Sequence, residues 1–217
     1  MRNQFTVERG KETPSTAERR IHEAALRIFA RSGRTDLTIS ELATEAGVAR
    51  GTVYNYVQPA DDLFDEVTAR LSDEMYRRVN RSIATTEAAS NPVARLAMGI
   101  RLYIRRAHED PLWGKFIYSF GFRTKVLQKL WSSNPAEDLL AGVQSGQIHA
   151  NPERLRATMS FIAGVVSGAI YLVATGHDTW RNAGTQAVEF VLQALGVPGA
   201  TVTSLASQEL PPLLPDD

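Results

Sequence analysis

Apolar residues fall at helical spacing along most of the chain. Ile21, Ala24, Ala25, Ile28 and Phe29 form one stripe, and Ser15 with Glu18 makes the reciprocal capping pattern that opens it. Leu63, Val67, Leu71, Met75, Val79 and Ile83 recur every fourth residue, which predicts a helix of about twenty residues linking a small N-terminal head to a larger body. A further helix is predicted from Pro92 to Glu109. Pro111 then opens a stretch of large rings, Trp113, Phe116, Tyr118, Phe120 and Phe122, with Trp131 beyond. Gly121 and Asn134-Pro135 are expected to interrupt or end helices there. From Ala157 to Gly176 no residue is charged, and from 179 to 195 Ala183, Ala187, Val188, Val191, Leu192 and Leu195 share one side.

The segment 38–57 carries more specific information. Thr38 followed by Glu41 is a capping box, Leu42, Ala43 and Ala46 follow at helical spacing, and Gly47 suits the left-handed residue that ends a helix. A second short helix, about 50–57, buries Val53 and Val57 and leaves three rows outside: Arg50 with Tyr54, Gly51 with Asn55, Thr52 with Tyr56. Two short helices about a glycine turn fit a DNA major groove. The outward rows hold the right chemistry for it, since arginine grips guanine O6 and N7, asparagine pairs with adenine, and hydroxyls bind phosphate oxygens. The alternative is that the Tyr-Asn-Tyr run merely packs a small helical domain, but Gly47, Val53 and Val57 already supply the packing.

From about Arg20 to Val67 the chain resembles the TetR family of bacterial transcriptional regulators. The resemblance lies in Ile21, Ala24, Ala25, Ile28, Phe29, Gly33, Thr38, Ile39, Leu42, Ala43, Gly47, Val48, Gly51, Thr52, Tyr54 and Leu63. It implies an all-α fold, a three-helix helix-turn-helix head on a helical body that dimerises and binds a small effector, and repression relieved when that effector binds. By matching position, Arg50, Gly51, Tyr54 and Tyr56 would approach bases or phosphates, with Thr38 and Thr52 on the DNA backbone and Asn55 on the same face. Two positions depart from the family pattern: Ala49 stands where a serine is common, and Ala60 where a phosphate-binding lysine is common. Pro59, Asp61 and Asp62 still suit the start of the next helix.

The resemblance sets the expected organisation: an arm at 1–14, a DNA-binding head at 15–60, a ligand-binding and dimerisation body at 61–197, and a flexible tail at 198–217 rich in Pro, Ser and Thr. The arm, with Arg2, Arg9 and Lys11, either enters a minor groove or is a plain tail. An effector pocket is expected among Met75, Tyr103, Trp113, Phe116 and Phe120, the competing reading being ordinary core. A homodimer interface is expected on Ser160, Gly164 and Gly168, a small-residue row, together with Val188, Val191 and Leu192. The uncharged run 157–176 is long enough for a membrane span, but serines, threonines and glycines dilute it, and a dimer helix explains it better.

Composition narrows the remaining choices. The 217 residues carry 24 Lys and Arg against 24 Asp and Glu, so any affinity for DNA comes from local charge placement. The absence of cysteine removes disulfides, thiolate zinc sites and cysteine nucleophiles. His22, His108, His149 and His177 show no metal-ligand spacing and no glycine-rich phosphate loop occurs, so no metal, cofactor or enzymatic activity is expected. No apolar signal segment opens the chain, and a cytoplasmic protein is expected. The expected partners are double-stranded DNA with a near-palindromic operator, a largely apolar effector and a second copy of the chain. The rivals are a DNA-binding regulator without an effector and an enzyme on a helical scaffold.

Overall fold

The computed structural model describes residues 16–57, 63–122 and 134–216, and among these it contains ten α-helices and no strand. The first three form the head. α1 (Thr16–Ser32) turns Ile21, Ala24, Ala25 and Phe29 inward; α2 (Ile39–Ala46) meets them with Leu42, Ala43 and Ala46; α3 (Arg50–Tyr56) closes the cluster with Val53, and Val57 follows it. Polar bonds fix the angle between α1 and α2. Arg27 Nε donates to Glu45 Oε1 at 2.7 Å, and Arg31 donates to the same oxygen. The Arg27 bond holds the Glu45 carboxyl below the usual carboxylate range against the opposing effect of burial, with Arg31 adding to it.

α4 (Leu63–Ala84) leads from head to body along the four-residue recurrence, with Leu63, Val67, Met75, Val79 and Ile83 buried. Its buried hydroxyls are satisfied within the helix. Thr68 donates to the Phe64 carbonyl at 2.6 Å, Ser72 to that of Thr68 at 2.8 Å, and Ser82 to that of Arg78 at 2.8 Å. After a 3-10 turn at Glu87–Ser90, α5 (Pro92–Glu109) starts at Asn91, whose side-chain oxygen accepts from the Val93 and Ala94 amides, with Pro92 in the first turn. Asp110 caps α6 (Pro111–Phe120) in the same way, accepting from the Trp113 amide at 3.0 Å.

α7 (Asn134–Gln144), α8 (Leu155–Ala174), α9 (Trp180–Ala194) and α10 (Gly199–Ser207) complete the body. α5 runs through its centre and packs against α4, α6, α7, α8, α9 and α10, which is why eleven of its residues, Arg101 included, are buried. α6 lies between α1, α5 and α8. Its rings carry the head-to-body junction: Phe64 stands 5.0 Å edge-on from Phe29, 5.1 Å from Phe120 and 5.8 Å from Phe116, centroid to centroid. Each such ring taken from water contributes about 1.5–3 kcal/mol, so this cluster ties the head to the body strongly.

Asn134 and Pro135 open α7, in keeping with proline's suitability for a first turn, and the residues before them lie outside the described ones. One expectation changes. The segment after 197 is not a loose tail. α10 packs on α9 and α5, burying Val202 and Ala206, and residues 208–216 lie as a strap along α4 and α5. Leu213 is buried, Ser82 Oγ accepts from the Leu214 amide at 2.9 Å, and Arg78 and Arg81 donate to the Leu214 and Pro215 carbonyls. Arg77 pairs with Asp216 through two nitrogens, one at 2.8 Å. The readings of the arm at 1–14, Ser15, Pro59 to Asp62 with Ala60, and Trp131 lie outside the described residues.

Candidate nucleic-acid interface and body cavity

The turn between α2 and α3 is built from both ends. Thr38 has an extended backbone, its Oγ1 accepts from the Glu41 amide at 3.1 Å, and the Glu41 carboxylate accepts from the Thr38 amide at 2.8 Å, so both arms of the capping box are present. The Thr38 backbone bond is the main reason that the Glu41 carboxyl sits below its usual range. At the other end Gly47 has φ +63° and ψ 42°, a left-handed conformation that a Cβ would strain. Arg20 donates to the Gly47 carbonyl at 2.9 Å, fastening the turn to α1, and a Cβ on Gly47 would stand 2.7 Å from that guanidinium.

With Val53 and Val57 pinned inward, α3 presents its other rows to solvent. Arg50, Gly51, Tyr54, Asn55 and Tyr56 are exposed and Thr52 is half-buried. These six positions make one continuous face, with exposed Thr38 at the start of the neighbouring helix. A Cβ on Gly51 would meet nothing within 4 Å, so this glycine opens the face to close approach rather than solving a packing problem inside the protein. Ala49 makes no side-chain cap; its carbonyl accepts from the Thr52 amide at 3.0 Å.

In the body the residues expected at each site divide. Of the five residues expected to line a pocket, Met75, Trp113, Phe116 and Phe120 are sealed in the core, the last two within the ring cluster at the head-to-body junction. Tyr103 lines a cavity. That cavity lies between α4, α5, α7 and α8, with a volume of about 50 Å³. Val79, Ile83, Ile100, Met159, Ile162 and Val166 form much of its apolar wall, and Tyr76, Asn80, Arg95, Tyr103 and Asp138 bring polar groups. Burial pushes the Tyr103 phenol well above its usual range, with Tyr76 adding to the shift, so it stays neutral. The signal that marks this wall in sequence is the row Arg95, Gly99, Tyr103, one turn apart, with a side chain missing at its centre.

The expected dimer residues also divide. Ser160, Gly164 and Gly168 are exposed on α8, and Cβ atoms on the two glycines would meet nothing within 4 Å. Val188, Val191 and Leu192 are buried inside the protomer, where α9 packs on α5, α8 and α10, and are therefore not available to a partner. The apolar groups facing outward are instead Phe161, 75 % exposed, Phe190, 68 % exposed, and Tyr171 and Leu172. Phe190 lies off the inward stripe of α9, which is the feature that singles it out.

A three-helix head with a capped helix-turn-helix, fused to a helical body, defines a DNA-binding regulator class. Comparison with known proteins agrees. The model of the bacterial regulatory proteins of the tetR family matches residues 21–67, and that of the tetracyclin repressor-like C-terminal domain matches residues 91–208. The chain belongs to the TetR family of bacterial regulatory proteins. An uncharacterized HTH-type transcriptional regulator of Mycobacterium tuberculosis is 34 % identical over 91 residues, 42 % of this chain and 40 % of that protein. AcrR of Shigella flexneri, an HTH-type transcriptional regulator, is 33 % identical over 57 residues, 26 % of each chain. The matched part thus spans less than half the length of these curated relatives. Among solved structures, RolR in complex with resorcinol superposes with a TM-score of 0.67 at 21 % identity, covering 91 % of this chain and 96 % of that one. FadR from Bacillus subtilis, in complex with stearoyl-CoA, gives 0.64 at 20 % identity over 82 % and 96 %. At such identities the likeness establishes the fold.

Proposed function

We propose that the chain is a homodimeric repressor that reads double-stranded DNA with the outer face of α3 and leaves its operator when a small molecule enters the cavity between α4, α5, α7 and α8. The observation that carries this reading is the α3 face itself. A cation, an amide and two phenols stand together outside a helix whose packing is already complete, beside a glycine that solves no internal packing problem. Arg50, Tyr54, Asn55 and Tyr56 would touch base edges or phosphates, Gly51 would let the DNA backbone come close, and Thr38 and Thr52 would hold phosphate oxygens. The exposed apolar face of α8 and α9, with Gly164 and Gly168 allowing close approach and Phe161 and Phe190 supplying area, suits a second copy of the chain. Two-fold symmetry would place the two α3 helices in major grooves about one DNA turn apart, roughly 34 Å, and make the operator near-palindromic. Such a protein works in the cytoplasm.

Because α4 both lines the cavity and leads to the head, a ligand that binds a tilted α4 more tightly would disfavour the DNA-bound spacing. The relatives solved with resorcinol and with stearoyl-CoA support a body that accommodates small molecules. The test is operator binding by the wild-type chain and by R50A and Y54A, on fragments selected from random DNA at low and high salt. Each variant should lose about tenfold or more in affinity while keeping the wild-type melting temperature. Unchanged affinity in both would reject the α3 face.

A further inference from the structure

The cavity wall holds an ion pair whose geometry leaves one acceptor over. Asp138, on α7, is 6 % exposed and lines the space opposite the α5 row Arg95, Gly99, Tyr103. Arg95 Nε donates to Asp138 Oδ1 at 2.8 Å, Arg95 Nη2 donates to that same oxygen, and Nη1 goes to the Ala89 carbonyl at 3.1 Å. No described residue donates to Asp138 Oδ2. Among the described residues, then, the second oxygen of a carboxylate that lines the cavity has no donor. A nearly buried carboxylate oxygen with a free lone pair calls for a donor. Burial raises the Asp138 carboxyl above its usual range and the Arg95 bonds oppose that.

Charge balance limits what can supply the donor. Arg95 and Asp138 neutralise each other, and most of the remaining wall is aliphatic. A ligand bringing a net charge would shed its hydration against a wall that, among the described residues, has no spare countercharge, an anion meeting Asp138 and a cation meeting Arg95. Gly99 sets the room available, since a Cβ there would meet nothing within 4 Å. Resting on the reading of this cavity as the effector site, we propose that it takes an uncharged, largely apolar molecule whose hydroxyl or N–H donates to Asp138 Oδ2.

The experiment is a matched series on the full chain by calorimetry and thermal shift: β-naphthol, its methyl ether, β-naphthoate and β-naphthylmethylammonium. The naphthol should bind saturably and at least about tenfold more tightly than each of the other three, the ratio expected when a hydrogen bond to a charged acceptor is lost. In G99L, where the new side chain occupies the space, the melting temperature without ligand should be unchanged or higher and the naphthol response should vanish. Equal binding of the methyl ether, tighter binding of either ion, no saturable binding by any probe, or a response surviving in G99L would each overturn the assignment. Release of bound DNA is read separately. If the naphthol shows the expected ranking but leaves the DNA complex intact, the effector reading fails and the ligand class stands; if DNA is released with the ranking reversed, the class fails and the effector reading stands.

Discussion

Helices α3 and α6 are both short and rich in rings, and they place those rings on opposite sides of the surface. Tyr54 and Tyr56 of α3 are 54 % and 42 % exposed, whereas Phe116 and Phe120 of α6 are fully buried. The neighbours decide this. α3 leans on α1 and α2 with one edge, while α6 is enclosed by α1, α5 and α8. A run of aromatic residues therefore specifies neither a pocket nor a binding face; the number of elements packed around it does. In α3 the hydroxyls on the rings fit exposure to water and phosphate, and in α6 the plain phenyl groups fit a dry junction.

The sharpest way to break this comparison is to truncate a ring on each side. F116A removes a side chain in contact with Phe64 and Phe120 and should cost about 3–5 kcal/mol in urea unfolding. Y54A should change stability by less than about 0.5 kcal/mol in the same assay. Similar costs for the two would mean that α3's rings are structural after all. A smaller effect sharpens the account of the head. T38A removes the side-chain cap of α2 and should cost about 1 kcal/mol, measured by thermal or urea unfolding.

The smallest expected effect concerns the strap. The Arg77 bonds hold the Asp216 carboxyl below its usual range, outweighing the opposing effect of burial. A carboxyl whose pKa is lower folded than unfolded adds stability that is fully present above the ordinary carboxylate range and is lost as pH falls toward the depressed folded value. D216N should therefore destabilise the fold slightly at neutral pH, by less than about 1 kcal/mol because Arg77 is half-exposed, and should converge with wild type in acid. Melts across a pH series check the sign; a difference that grows in acid would contradict it.

How much of this could be read from the chain depends on how local each signal is. The capping box at Thr38 and Glu41, the turn at Gly47 and the inward pair Val53 and Val57 lie within twenty residues of one another, so the head and its face were legible. The body was legible as helices but not as partners. The stripe Val188, Val191, Leu192 reads as buried, but periodicity does not say whether the covering helix belongs to the same copy; it does, through α5. The cavity was harder still, because it depends on an absent side chain at Gly99 and on Arg95 meeting Asp138 from 43 residues away. The strap left no apolar period at all. Its bonds are mostly arginine to backbone carbonyl, such as Arg78 Nε to the Leu214 carbonyl at 2.8 Å, and any residue can offer a carbonyl.

That strap has a mechanical corollary. Along one edge α4 is riveted to the polypeptide's closing residues through Arg77, Arg78, Arg81 and Ser82, so the lever joining cavity to head cannot swing alone. Either 208–216 rides with it as a splint or those rivets open, and amide exchange at Leu214 would then register each stroke.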